Sequence, residues 1–326
     1  MDTSLAHPIA QAPSRLRRRL LARFASAAIV AFWLTMMTVL FWNDILPRKL
    51  LGNEQFVTPQ EFVQNWRDYD EWLEVMYKET SLGFLRAGIV RRPDDSFLAL
   101  CRLRIAIPLG PVSAGFTMDA DALLDSSLTL DEAALDGALL NARLRVETQV
   151  NGDALYYVVL NDGQVADAGR VLLPMPPSLQ QAACVLLARR QPLQPGQSFV
   201  VPAFDPLMNF GAGMATVHVV ARESVSLRPG EAPVEALRID TTFGDIHTVS
   251  WVDTEGRTLK QQFTRDLAFI HVRPEMAQLR YPDMARPPEP PSVDHERLRE
   301  QARRTITQPK DQGILRLLRD ALGGAR

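Results

Sequence analysis

The chain is predicted to be mainly β, with one N-terminal transmembrane helix followed by a curved antiparallel sheet or half-barrel holding a packed helix, plus flanking helices. Three observations lead there. Phe24 to Trp42 reads FASAAIVAFWLTMMTVLFW without a charge. Leu82 to Val272 breaks into short alternating runs separated by turn residues, which is the pattern of strands. One segment inside that region, LPMPPSLQQAACVLLARRQ, is apolar on nearly all sides, and a helix of that kind must be enclosed.

The apolar run comes first in the chain. At a rise of about 1.5 Å per residue it spans roughly 28 Å as a helix, close to the hydrocarbon thickness of a bilayer. Arg15, Arg17, Arg18, Arg19 and Arg23 precede it, while only Arg48 and Lys49 follow closely. That bias assigns residues 1–23 to a cytoplasmic basic tail and the remainder to the far side. After Trp42 the chain reads NDILPRKLLG, with no A-x-A-like cleavage site, so a retained anchor is expected over residues 24–42.

Residues 43–80 form a connector and an amphipathic aromatic helix. Thr58 is placed to cap it, Pro59 suits the first position and Glu61 completes a capping box. Phe62, Trp66, Tyr69, Leu73, Met76 and Tyr77 recur at three- and four-residue spacing, an aromatic stripe suited to packing or to a partner. Trp66, Tyr69 and Trp72 are therefore candidate partner-binding residues.

The domain proper is expected over 81–281. Strand candidates are LGFLRAGIV, SFLALCRLRIAI, SSLTL, ALLNARLRVETQV, ALYYVVLN, ATVHVVARES, VEALRIDTT, HTVSWVDT, TLKQQF and AFIHVR. In RLRVETQV, Leu144, Val146, Thr148 and Val150 share one face while Arg143, Arg145, Glu147 and Gln149 share the other, so the sheet has a dry and a wet side. Asn161-Asp162-Gly163 and Thr254-Glu255-Gly256 suit hairpin turns. The apolar helix, with Ser178 as its cap, is expected as plug or lid on the concave side.

Residues 282–293 carry prolines too densely for a helix or a central strand and read as a stiff linker that ends the domain. Residues 294–326 form a helical tail. Its Ile314, Leu317, Leu318 and Leu322 make an apolar patch and are further partner-binding candidates.

No catalytic constellation stands out. Cys184, His218 and Asp240 follow the order of a cysteine enzyme, but Cys184 sits mid-helix among apolar residues, where a thiol pKa rises. The histidines lack i, i+4 pairing and there is no C-x-x-C, so no metal site is read. G-x-S-x-G, P-loop and dinucleotide fingerprints are absent. Asp119 and Asp121 fall in a loop-like stretch. Asn209 to Gly213 reads as a flexible loop. A disulfide between Cys101 and Cys184, the two cysteines of the chain, is left open beside plain burial. A formal charge of −2 offers no attraction to nucleic acid.

Several phrases together resemble a family: LGFLRAGIV, LARRQPLQPGQSF, AFDP at Ala203 to Pro206, VVARESV at Val219 to Val225 and VSWVDTEGRTLKQQF. They resemble a bacterial envelope domain of unknown function found beside transglutaminase-like modules or alone behind a membrane anchor, over about residues 80 to 273. The ending carried by Trp251, Asp253, Gly256, Arg257, Leu259 and Lys260 is similar to a strand-turn-strand of curved-sheet lipoprotein carriers. The resemblance brings no catalytic residues.

The resulting expectation is a bacterial inner-membrane protein, single-pass with its N-terminus cytoplasmic and its main domain periplasmic. It is read as a non-enzymatic accessory subunit of a cell-envelope complex, with envelope membrane proteins or a second copy as partners and no cofactor. The alternative is a lipid- or lipoprotein-binding carrier using the concave face of its sheet.

Overall fold

A computed structural model describes residues 54–63, 66–109, 112–139, 142–175, 177, 183–205 and 211–302. The expected anchor at 24–42, and Ile314, Leu317, Leu318 and Leu322, lie outside them. Among the described residues no helix is long and apolar enough to cross a membrane. The chain divides into two compact units at Glu54/Gln55, and the described residues belong to the second apart from Glu54.

This unit is built on one 15-stranded sheet. Its first strands are β1 (Glu54–Phe56), β2 (Tyr69–Tyr77), β3 (Thr80–Arg91), β4 (Phe97–Leu109), β5 (Val112–Leu124), β6 (Leu130–Leu139), β7 (Ala142–Asn151), β8 (Ala154–Asn161) and β9 (Gln164–Leu172). The others are β10 (Ser198–Asp205), β11 (Gly211–Val225), β12 (Val234–Phe243), β13 (Ile246–Val252), β14 (Thr258–Gln262) and β15 (Leu267–His271). Spatial order is β1, β10 to β15, then β2 to β9. Two antiparallel meanders are thus joined where β15 pairs with β2, Phe269 opposite Val75. The helices are α1 (Pro59–Val63), α2 (Ala183–Arg190), α3 (Pro274–Arg280) and α4 (His295–Ala302).

The sheet is curved, and α2 lies in its concavity, as the apolar segment predicts. Val185 and Leu186 join a cluster formed mainly by β2 to β9, with Phe97, Leu124, Leu155 and Tyr157 at its centre. Leu187 joins a second cluster from β10 to β13, with Phe199, Val217 and Ile239. One helix therefore serves both meanders through Val185, Leu186 and Leu187, but it is amphipathic rather than apolar all round: Arg190 pairs with Glu61 at 2.7 Å and Arg189 donates to the Asp68 carbonyl at 3.2 Å.

Three sequence expectations give way. The aromatic helix does not extend past Val63 in the described residues: half of its capping box forms, with the Thr58 N–H donating to Glu61 Oε1 at 3.1 Å and the Glu61 N–H going to the Thr58 carbonyl rather than its hydroxyl, but Tyr69–Tyr77 is strand β2. Both faces of β2 are covered and both its edges are paired, so alternating burial leaves apolar residues on each side. Such a doubly buried strand carries no clean period of two, and its aromatics mimic a helical stripe. The loop-like stretch around Asp119 and Asp121 is β5, its carboxylates on the outer face. SSLTL mostly forms the turn into β6 rather than a strand.

The proline-rich segment does not end the fold either. From Pro274 to Ala302 the chain runs as a strap over the outer face. Met284 fills a cluster with Trp72, Phe84, Val272 and Ala277, and Leu298 of α4 one with Val158 and Leu160. What holds it is the wet face itself. Arg86 donates to the Met284 and Arg286 carbonyls, both at 2.9 Å, and Arg104 to Asp283 at 2.7 Å. Arg145 reaches the Ser292 carbonyl. Glu147, 2% exposed, accepts from Arg297 at 2.8 Å and from the Asp294 N–H at 3.1 Å.

Candidate functional site

Around α2 the inner face is packed and its polar groups are paired. Glu71 is 4% exposed. Its carboxylate accepts from the Tyr69 hydroxyl at 2.5 Å and the Thr258 N–H at 2.6 Å. Burial raises the Glu71 pKa against the lowering by those two bonds, and burial with Glu71 alongside raises Tyr69 well above 10. Neutral phenol and carboxylate thus fasten β14 to β2. Gly256, in the turn before β14, lies against α2: a Cβ there would come 2.5 Å from the Cys184 carbonyl oxygen. The turn and the helix are mutually fitted.

The sequence-level chemical candidates separate. Cys184 is inside the sheet, whereas His218 and Asp240, opposite one another on β11 and β12, are on its outer face. The sheet stands between thiol and imidazole. Burial, then Glu71, push the Cys184 thiol up to about 12, far from the thiolate that nucleophilic chemistry needs. Cys101 is likewise at about 12, chiefly through burial, and both cysteines are free. His218 and His247 are separated by β12; His247 lies 3.8 Å from Asp240 and the Ser198 hydroxyl meets His218 Nδ1 at 2.7 Å. Asp121 is held by Arg102 at 2.6 Å, and Asp119 by Arg104 at 2.8 Å. No group of three or more metal-ligating side chains occurs among the described residues.

The expected aromatic contact surface is used internally. Tyr69 is 5% exposed and Trp72 3%; they point to opposite faces of β2, Tyr69 into the main core and Trp72 under the strap. Trp66 packs edge-on to Phe97, 4.6 Å between ring centroids. These three side chains do not form one exposed face.

Farther from α2 the inner face changes character. Two rows of side chains cross it, fixed by strand register. One runs through Phe269, Val75, Gly83, Ile105, Phe116 and Leu139. The other runs through Leu73, Leu85, Leu103, Met118 and Gly137. Leu85, Leu103, Ile105, Phe116, Met118, Leu139 and Phe269 are only partly covered and belong to none of the core clusters. At the rim Phe263, 43% exposed, packs edge-on to Phe269 at 5.1 Å, beside Tyr77, 45% exposed. On β15 the second row continues to His271, whose pKa is lowered, chiefly by burial; neither row contains a carboxylate, Lys or Arg side chain between β15 and β6. From β15 to β6 the surface is roughly 24 Å wide at the usual strand spacing.

Sequence reasoning missed this wall because β5 was taken as a loop and partial cover on an inner face is a tertiary property. The alternation in SFLALCRLRIAI was the available signal: Leu103, Ile105 and Ile107 point in while Arg102 and Arg104 point out. On the outer face a cavity of about 300 Å³ is lined by Thr117, Asp119, Asp136, Arg143 and Arg145. Its carboxylates are already taken by Arg104 and Arg145, so the apolar inner wall is the stronger candidate for a ligand.

No protein-family model matches the chain, and no curated protein does. Among solved structures it is similar to the β-barrel-like protein of the domain of unknown function DUF1849 from Brucella abortus, with 9% identity and a TM-score of 0.41 over 63% of this chain and 95% of that one. It is also similar to a DUF1089-family protein from Pseudomonas aeruginosa, with 14% identity and a TM-score of 0.29 over 58% of this chain and 93% of that one. The neighbours are bacterial domains of unknown function, and at these values nothing about activity is taken from them.

Proposed function

We propose that this chain is a non-enzymatic lipid-binding module of a bacterial envelope, in which the concave face of the sheet holds an acyl chain. The single observation that carries this is the partly covered, uncharged wall of Leu85, Leu103, Ile105, Phe116, Met118 and Phe269 on a sheet already curved around α2. Sites for small apolar ligands are concave, predominantly apolar and largely preformed. A closed hydrophobic core would have left these side chains buried like Phe97 and Leu124, each 0% exposed.

The proposal includes the placement read from the sequence: residues 24–42 anchor the chain in the inner membrane, with the sheet on the periplasmic side, where lipid or lipoprotein must cross water. The accessory-subunit reading comes second, because Tyr69 and Trp72 are spent inside the fold. The full chain, exchanged from detergent into amphipol, is tested by native mass spectrometry for a lipid adduct. Leu103→Glu, melting as the parent does, is expected to lose the adduct. A parent without lipid, or a variant that keeps it, contradicts the reading.

A further inference from the structure

The uncharged wall continues, beyond Phe269, into polar positions on the same inner face. Thr241 and Thr248 are opposite each other on β12 and β13, and Ser250 is opposite Ile239 and Gln261. Gln261 in turn stands opposite Phe269. Ile239 and Val252 belong to the inner core, and strand alternation puts Thr241, Thr248 and Ser250 on that same side.

Thr241 is 8% exposed, Thr248 7% and Ser250 4%. Among the described residues no hydrogen bond reaches the side chain of any of the three, nor that of Gln261. None of these atoms is among the fully enclosed, unpartnered polar atoms of the described residues; each keeps some contact with solvent, and the row offers the concavity hydrogen-bonding groups that the fold itself does not use. Glu71, elsewhere on the inner face, differs in having two donors.

We infer, resting on the acyl-binding reading above, that Thr241, Thr248, Ser250 and Gln261 form the head-group end of the same site, and that the ligand is a single-chain amphiphile with an uncharged hydroxyl or ester head. Its chain lies over β15 and β2 to β6, and its head over β12 to β14. The hydroxyls can donate and accept, and the Gln261 amide does both, which suits a glycerol ester. The choice against an anionic head rests on charge. No Lys or Arg side chain occupies these inner positions: Lys260 lies over the Trp251 ring on the outer face, and Arg257, in the turn, is held by Asp253 at 2.7 Å. His271, the next inward residue of β15 after Phe269, has an unpartnered Nδ1 and a pKa lowered by burial and then by Arg257, so it stays neutral at pH 7, and a carboxylate or phosphate there would be desolvated without a counter-charge.

The test compares 1-monooleoylglycerol with oleate, which share one chain and differ in head charge, titrated onto the full chain in amphipol and read by native mass spectrometry. Wild type is expected to hold the glycerol ester at least about tenfold more tightly than oleate. Thr248→Val with Ser250→Ala removes two hydroxyls at nearly constant volume. It should weaken the glycerol ester about tenfold, leave oleate within about twofold, and so erase the preference. Thr241→Val, on the neighbouring strand, provides a second variant should the first fail to fold. Equal binding of the two lipids by wild type, or a preference kept in both variants, overturns the head-group assignment. In that case, binding that is still abolished by Leu103→Glu leaves the acyl-binding reading standing. A wild type that binds neither lipid overturns both.

Discussion

Replacing Gly256 by alanine tests how the curved sheet and α2 are locked together. Gly256 has φ +80°, a conformation that costs an L-residue about 1–2 kcal/mol. Its Cβ would also fall 2.5 Å from the Cys184 carbonyl oxygen, 2.7 Å from Ala188 Cβ and 2.9 Å from Val185 Cα. Two of these three neighbours are α2 backbone, so no side-chain rotation relieves the overlap; the helix or the turn must move. Because α2 serves both core clusters, the added cost is that of overpacking, about 1–3 kcal/mol. Gly230 supplies the control: its φ is +83°, and a Cβ there meets nothing within 4 Å. Gly230→Ala should thus cost about 1–2 kcal/mol, the backbone share alone, and Gly256→Ala about 2–5 kcal/mol in all. Urea unfolding of the full chain in amphipol, followed by tryptophan fluorescence, measures both. Equal losses for the two variants would refute the helix–turn contact as the reason for glycine at 256.

Leu298→Ala empties a 0% exposed position of α4, worth about 2–5 kcal/mol in a rigid core; it should free the strap, raising amide exchange over 294–302 at least tenfold while β7 and β8 keep their protection. Loss of protection throughout the sheet would mean that the strap is not a separable element. Burial would raise the Glu147 carboxyl, but the Arg145 and Arg297 bonds outweigh it and hold the pKa below its ordinary value. A depressed folded pKa gives stability that is complete above the unfolded value of about 4.3 and is lost as pH falls through the folded one. Pepsin should therefore cut residues 286–302 increasingly as pH drops below about 4.3, and Glu147→Gln should remove that dependence; a flat profile in the parent would contradict it. With Cys101 and Cys184 both at about 12, Ellman's reagent at pH 8 should label neither in the folded chain and both in urea. Rapid labelling of folded Cys184 would reopen the cysteine-enzyme reading.

Local signals were strong where one face was wet or a turn was needed. RLRVETQV is the strand its alternation implies, although Glu147 on its polar side is 2% exposed under the strap, and the Asp162-Gly163 hairpin and the Glu61 bond back to the Thr58 N–H are as the sequence implies. The packed helix was legible from the run Cys184 to Ala188, whose Val185, Leu186 and Leu187 are buried, while Arg189 and Arg190 at its end face outward. What failed were segments whose environment is decided at long range. YDEWLEVMY is covered on both sides, so its pattern is not that of a half-buried strand. VSAGFTMDADALL carries Asp119 and Asp121, which look like loop residues until Arg102 and Arg104 on the neighbouring strand are seen to neutralise them. The strap was hidden for the same reason: prolines exclude it from the ladder, but arginines from distant strands supply its carbonyls and carboxylates with donors. The candidate wall could be read only residue by residue, in the alternation of SFLALCRLRIAI; that it is left partly open depends on β5 and β15, far apart in sequence.

The central claim, an acyl chain on the concave face, is tested most directly by photo-crosslinking the full chain in intact membranes with a diazirine-bearing fatty acyl probe, followed by peptide mapping. The account predicts adducts on the inward residues of β4, β5 and β15, Leu103, Ile105, Phe116 and Phe269 among them. Adducts that spare all of these while labelling other parts of the chain would contradict it.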